Sequence, residues 1–341
     1  MDEFLQNEQA VMTAEDKKKF WDTLCELKGE ATDMERLLQT IKYPRFLYRY
    51  RPISIRSLAA LSENRMYFSS SNYYDDPFDT FLRIDEKKIE SEIKATLQRV
   101  KDDKGTVKNV ASLLGKPNIS IPEKLDRDVI EYIDNSLKAA FRNVRNELRK
   151  EVFSVCFSDL WNNETLWIKY ADQHKGYAII YDLTDEDKLI CGTQKGCANC
   201  GFAKDRFPVY PVYYSNEKYD ATEFARDQLA FKILLSVYNG NAEKVIRMLP
   251  PHYWEKERIS LIKKKCHEYD SEWRAIWANQ FAPPQKVYTV WKPYGIILGL
   301  NITEEGKALV LSAADTAGIK KIFQLEISNE DDLAIKRGNI E

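Results

Sequence analysis

The sequence has little that would carry it to a membrane, a nucleic acid or an oxidising compartment. Only three of 341 residues are histidine, and 51 basic residues face 53 acidic ones, for a net charge of −2. A balance so near zero supplies no long-range field to gather polyanions or an anionic lipid surface. A nucleic-acid partner is therefore not indicated. No stretch approaches the roughly 18–20 apolar residues of a membrane span, and the most apolar segments, Tyr177–Tyr181 and Ile296–Leu300, have only strand length. The opening Met1-Asp-Glu-Phe-Leu-Gln-Asn-Glu lacks both the cationic start and the apolar run of a secretory leader. The expectation is a cytoplasmic protein without a membrane segment. Its six cysteines then read as thiols or metal ligands rather than disulfides.

What is present is apolar enough for a substantial core: 44% of residues are hydrophobic and 12% aromatic. Residues 13–41 carry Phe20, Leu24, Leu27, Met34, Leu37, Leu38 and Ile41 at helical spacing, after a Thr13…Asp16 capping box, and Pro44 closes the segment. Phe46–Tyr50 and Met66–Phe68 read as strands around a helical turn at Ile55–Asn64. Residues 69–79 read as a loop, with Pro77 forcing Asp76 out of helical geometry. Residues 83–150 are charged and helical, with Ile130, Ile133, Leu137, Phe141, Val144 and Leu148 along one face. Further strands are expected at 151–158, 176–182, 209–214, 272–277, 294–298 and 321–327. Helices are expected at 164–170 and across 221–266.

Strands and helices alternate without βαβ regularity, which predicts an α+β fold. The expected architecture is a twisted, mostly antiparallel sheet with helices packed on one side. Residues 1–45 form an N-terminal helical segment. Residues 46–330 form a single domain with a helical insertion at about 83–150, and residues 331–341 form a tail.

Three islands occur in order along residues 46–330. The first is Leu47-Tyr-Arg-Tyr-Arg with Arg65-Met-Tyr-Phe-Ser-Ser and Asp75-Asp-Pro-Phe-Asp. The second is Phe153-Ser-Val-Cys-Phe-Ser with Leu166-Trp-Ile-Lys-Tyr-Ala-Asp-Gln-His-Lys-Gly-Tyr-Ala-Ile. The third is Lys265-Cys-His-Glu-Tyr-Asp-Ser-Glu-Trp-Arg. The ordered set resembles the bacterial family of domain of unknown function 2971, although Asp75 replaces the family's asparagine and Leu166 its usual methionine. The resemblance implies an accessory protein of bacterial phage-defence or mobile-element regions. Its partner would be an unidentified macromolecular target or a neighbouring defence protein. The motif order is also similar, more distantly, to that of ADP-ribosyltransferases.

That second resemblance implies a role for three residues. Arg49 would hold a phosphate or ribose of NAD, Tyr170 or Tyr177 would stack on nicotinamide, and Glu272 would stabilise the cationic sugar as nicotinamide leaves. Tyr48, Arg51, Tyr177 and Asp270 are the accompanying ligand-contacting candidates, Asp270 and Glu272 sharing a strand face with Arg274. The competing account is structural: Asp270, Glu272, Arg274 and Arg49 as a charge network at a sheet edge. The enzyme reading requires Arg49, Tyr170 and Glu272 to meet in one open cleft, with Glu272 free of an arginine. The alternative is a non-enzymatic sensor or interaction module binding a ligand in an aromatic cleft.

Four other features stand beside these. Cys191, Cys197 and Cys200 form a C-x2-C pattern plus a third thiol, short of the four ligands of structural zinc unless Cys266 or His267 completes the set. His174, ending a helix near Gly176, is either a cap or an acid–base group, and no glycine elbow supports a triad with Ser154 or Ser158. Asp75-Asp-Pro-Phe-Asp is an acidic turn that either caps a helix or holds Mg²⁺. The run Lys263–Lys265 reads as a solvated helix end.

Overall fold

The computed structural model describes residues 11–74, 76, 79–99, 135, 139, 149, 152–183, 190, 191, 209–237, 241–247, 249, 252–277 and 288–336. The chain opens with α1 (Ala14–Glu26) and α2 (Asp33–Leu38), then β1 (Phe46–Arg51), α3 (Ile55–Ser62), β2 (Arg65–Tyr67), β3 (Ser69–Ser70), β4 (Leu82–Arg83) and α4 (Glu86–Arg99). The middle holds β5 (Phe153–Ser158), α5 (Glu164–Tyr170), β6 (Tyr177–Asp182), β7 (Ile190–Cys191), β8 (Val209–Pro211), β9 (Tyr213–Ser215), β10 (Tyr219–Asp220) and α6 (Thr222–Val237). After these come α7 (Ala242–Ile246), α8 (Glu255–Leu261), β11 (Ile262–Lys264), β12 (Glu272–Trp277), β13 (Tyr288–Val290), β14 (Gly295–Leu298), α9 (Glu304–Thr316), β15 (Ile322–Ile327) and β16 (Leu333–Ile335).

The main sheet runs in the order β16-β15-β14-β6-β1-β5-β12-β8, with β3 also paired to β5. Only β14 and β15 are parallel; the other pairs are antiparallel. The α+β expectation therefore describes the fold.

The helices do not keep to one side. On one face Leu47, Tyr177, Ile179, Tyr181 and Ile296 pack with Phe20 and Leu24 of α1 and Val310 of α9. On the other, Phe46, Tyr48, Tyr50, Ala178 and Ile180 pack with Leu166 and Trp167 of α5. Strand β6 is buried almost throughout, as a strand covered on both faces must be. Helix α5 is fixed from outside its own length. The Trp167 indole donates to Trp161 O at 2.9 Å, and the Tyr50 hydroxyl to Leu160 O at 2.6 Å.

The N-terminal segment belongs to this core rather than standing apart. Thr13 caps α1 as expected: Asp16 N donates to Thr13 Oγ1 at 3.1 Å while Asp16 Oδ2 accepts from Thr13 N at 3.0 Å. The single helical run expected over 13–41 is broken, however. Gly29 takes φ +90°, and Asp33 Oδ2 accepts the N–H groups of Lys28, Gly29 and Glu30. A Cβ at Gly29 would lie 2.1 Å from the Tyr253 ring, so only glycine fits this turn. At the other end β16 pairs with β15, which extends the sheet into the expected tail. Helix α9 lies outside the sequence expectations. Of the helical insertion, α4 is described; its second amphipathic face, Ile130 to Leu148, lies outside the described residues.

Candidate functional site

Strands β1 and β5 pair only at Tyr48↔Ser158. The far end of β5 is taken by β3, through Ser69↔Ser154 and Ser70↔Phe153. Between these two attachments the edges of β1 and β5 part. A cleft of about 260 Å³ opens there, lined among others by Arg49, Arg51, Tyr73, Tyr74, Cys156, Tyr170, Lys263, Asp270 and Glu272.

Arg49, Tyr170 and Glu272 all line the cleft, from β1, the end of α5 and the start of β12; the register Tyr48↔Ser158↔Glu272 nevertheless puts Arg49 on the opposite sheet face from Glu272, beside Ile179 and Tyr181. Tyr48, Arg51 and Asp270 also line it. Tyr177 does not: it is fully buried behind β1, and its hydroxyl donates to Ser57 O at 3.1 Å. Gly176 sets the approach here, since a Cβ on it would lie 2.2 Å from Arg51 O. Its φ is not left-handed; the left-handed residues of this turn are Asp172, Gln173 and His174. His174 lies outside the cleft lining. It stacks on Trp167 at 5.9 Å, and burial lowers its pKa.

The carboxylate end is a buried charge network. Glu272 Oε1 accepts from Arg274 Nε at 2.7 Å, and Oε2 from Lys263 Nζ at 2.9 Å. Arg274 reaches on to Asp79 through two bonds, of 2.9 and 2.7 Å. Lys263 also donates to Asp270 Oδ2 at 2.8 Å. Glu272 is therefore paired to an arginine, contrary to the free carboxylate that the enzyme reading asked for. Burial pushes its pKa up, but the Arg274 and Lys263 charges outweigh burial and hold it far below the ordinary carboxylate range. Asp270 moves the other way, raised mainly by burial, and its Oδ1 meets no donor among the described residues. The Cys156 thiol, hydrogen-bonded to Glu272, is pushed up to about 12 by burial and by that neighbouring charge.

Local folding explains these positions. Asp270 does not share the β12 strand with Glu272 but ends a 3₁₀ turn over Lys265–Asp270. Ser271, left-handed at φ +41°, reverses the chain between them, and its hydroxyl donates to the buried Asp159 Oδ1 at 2.5 Å. Glu272 N donates to the Tyr214 hydroxyl at 2.8 Å, and Lys17 of α1 lies over the Tyr214 ring at 5.3 Å. The N-terminal helix therefore backs the site.

Lys263, expected as a solvated helix end, is the main correction. Helix α8 stops at Leu261, and Lys263 points inward from β11, 5% exposed. Asp79 and Cys156 were likewise not anticipated as members of the site. The only sequence signal for Lys263 was the apolar Leu261-Ile262 pair before it. Asp79 is the last carboxylate of the acidic turn, and it clamps an arginine; Asp75 and Phe78 of that turn lie outside the described residues. Of the zinc candidates, Cys197 and Cys200 lie outside the described residues and Cys191 is described only through its backbone pairing with Thr289. Among the described residues no group of three or more His, Cys, Asp or Glu is arranged to hold a metal, and no helix is long and apolar enough to cross a membrane.

Searches against family models, curated proteins and solved structures return no match for this chain.

Proposed function

We propose that the protein binds NAD in this cleft and cleaves its nicotinamide–ribose bond, as an ADP-ribosyltransferase-like or NAD-consuming enzyme. The observation that carries the reading is that Tyr170 and Glu272, from separate stretches of chain, meet at one open cleft that Arg49 also lines.

The chemistry asks for a fixed negative charge beside a sugar that becomes cationic. In the bond-breaking step nicotinamide leaves with the electron pair of the C–N bond. The ribosyl cation is then captured by water or by a nucleophilic group of a target, which gives up a proton. Glu272 stays ionised because Lys263 and Arg274 sit against it, so its charge is in place before the substrate arrives. A carboxylate has about four acceptor positions. Arg274, Lys263 and Cys156 occupy three, which leaves one directed hydrogen bond for a ribose hydroxyl. Tyr170, half-exposed at the cleft, offers a ring face for nicotinamide. A cavity of about 260 Å³ sits near the lower end for ligand pockets. That size suits the nicotinamide–ribose end of the dinucleotide, with the remainder along the open mouth.

A second reading keeps the ligand and drops the reaction, and the pairing of Glu272 to two cations favours it. Incubating purified protein with labelled NAD, with and without cell extract, separates them. The enzyme reading expects nicotinamide release that falls at least about a hundredfold in Glu272→Gln and in Arg49→Gln, a loss comparable to removing one preorganised transition-state contact. NAD bound without turnover leaves the binding module standing. Equal turnover in wild type and Glu272→Gln rules out the assigned role of this carboxylate.

A further inference from the structure

The turn that presents Asp270 and Glu272 to the cleft is held by the N-terminal segment. Ser271 stands between them in the left-handed region at φ +41°, a conformation that a residue other than glycine keeps only where its surroundings impose it. The imposing group is Asp159, the residue after β5, which is 0% exposed. Its Oδ1 accepts from the Ser271 hydroxyl at 2.5 Å, and its backbone N–H donates to Ser271 O at 3.4 Å. Its Oδ2 accepts the backbone N–H of Val11 at 3.1 Å. One buried carboxylate therefore ties residue 11 to residue 271, across most of the length of the chain.

A second link runs from the same segment. Lys17, buried on α1, lies over the Tyr214 ring, and the Tyr214 hydroxyl accepts from Glu272 N at 2.8 Å. Burial lowers the Lys17 pKa, against the attraction of Asp159, then Glu268, then Glu272. The cation is thus drawn to the carboxylate that Val11 also holds and to residues on both sides of the turn, where Glu268 O accepts from Ser271 N at 3.2 Å. Val11 and Lys17 reach residues 271 and 272 by separate routes.

We infer that Asp159 is a positioning residue of the cleft: it locks the Ser271 turn that sets Asp270 and Glu272 against Lys263, and the N-terminal segment, bound to it through Val11, is a clasp whose release loosens that turn. Cys156 reports the state of the turn, because its thiol is hydrogen-bonded to Glu272. When the turn loosens, Glu272 moves away from the thiol. Water then reaches Cys156, and burial and the neighbouring charge no longer oppose its ionisation. The clasp belongs to the cleft whichever ligand it takes, so this inference goes beyond the reaction proposed above and does not rest on it.

The test is the rate at which iodoacetamide alkylates Cys156 in the full chain without denaturant, followed by peptide mass spectrometry. Asp159→Asn puts a donor where Val11 or Ser271 needs an acceptor, and should raise the rate at least about tenfold over wild type. Val11→Pro removes the N–H alone, and Ser271→Gly removes the hydroxyl while tolerating the left-handed backbone. Each should raise the rate about three- to tenfold. Adding Val11→Pro to Asp159→Asn should change little, since both act through one carboxylate. Val310→Ala, which opens a cavity at a buried position on α9, should leave the rate as in wild type. A rate unchanged in Asp159→Asn, or raised as much by Val310→Ala, overturns the positioning role. Val11→Pro at the wild-type rate, or an effect fully additive with Asp159→Asn, overturns the clasp. Should Asp159→Asn fail to fold, Val11→Pro and Ser271→Gly decide by the same comparison with wild type and Val310→Ala. Absence of NAD turnover would touch none of these results.

Discussion

Removing the arginine at the centre of the charge network should damage the protein more than removing the glutamate. Arg274 is 1% exposed and donates to Glu272, to both oxygens of Asp79 and to Ser260 O at 2.6 Å. In Arg274→Met, Asp79, Asp270 and Glu272 would share a single cation, Lys263. Breaking a buried pair from one side costs about 3–5 kcal/mol, because the stranded charge stays buried. In Glu272→Gln the count becomes even: Asp79 with Arg274, and Asp270 with Lys263. The amide oxygen can still accept from Arg274 Nε, so the loss reduces to one buried donor facing Lys263, about 1–3 kcal/mol. Urea unfolding at pH 7 followed by tryptophan fluorescence, extrapolated linearly to water, measures both. Equal costs, or a larger one for Glu272→Gln, would refute the charge-counting argument, as would Arg274→Met within about 1 kcal/mol of wild type. The order also matters for function, because a folded Glu272→Gln makes the NAD assay interpretable.

Two further outcomes follow from the shifted groups around the cleft. With its pKa near 12, Cys156 should be alkylated by iodoacetamide at pH 8 about a thousandfold more slowly than in urea-unfolded chain; peptide mass spectrometry checks this, and equal rates would refute it. Asp270 and Glu272 should act on stability with opposite signs as pH changes. A raised acid such as Asp270 contributes stability that is fully present below about pH 3.9 and is lost as pH rises through its folded value. The depressed Glu272 contributes stability that is present above about pH 4.3 and is lost as pH falls towards its folded value. Asp270→Asn removes the first contribution and keeps an acceptor for Lys263. Its stability should therefore gain on wild type as pH rises from 4 to 7, and parallel urea curves across that range would exclude the assignment.

The parts of the fold legible in the sequence were those whose signal is local. Phe153–Ser158, Tyr177–Asp182 and Glu272–Trp277 show strand composition within six residues each, and α5 begins one residue after the Asn163 side chain that caps it. The positions that went astray are those decided by distant chain. Lys263 looks like a helix end while only its neighbours are considered. Its burial is decided by Asp270 and Glu272, which reach it from beyond a left-handed turn at Ser271. Tyr177 has the same aromatic character as Tyr170, yet it lies on the face that α3 covers, and its hydroxyl is used up on Ser57.

The cleft itself depends on where pairing stops, which no strand propensity encodes. Strand β1 is fully paired with β6 from Phe46↔Asp182 to Arg51↔Tyr177, whereas its other edge meets β5 at one residue. What removes the remaining pairing is β3, a two-residue strand in a segment that reads as loop, seated on β5 at Ser154 and Phe153. Had β1 continued along β5, Arg49 would sit opposite Phe157 in the interior of a closed sheet, where burying a guanidinium is costly. The short strand and the cleft are thus consequences of one arrangement. The sheet is held open between β1 and β5, beside the charge network that Lys263, Asp270, Glu272, Arg274 and Asp79 build.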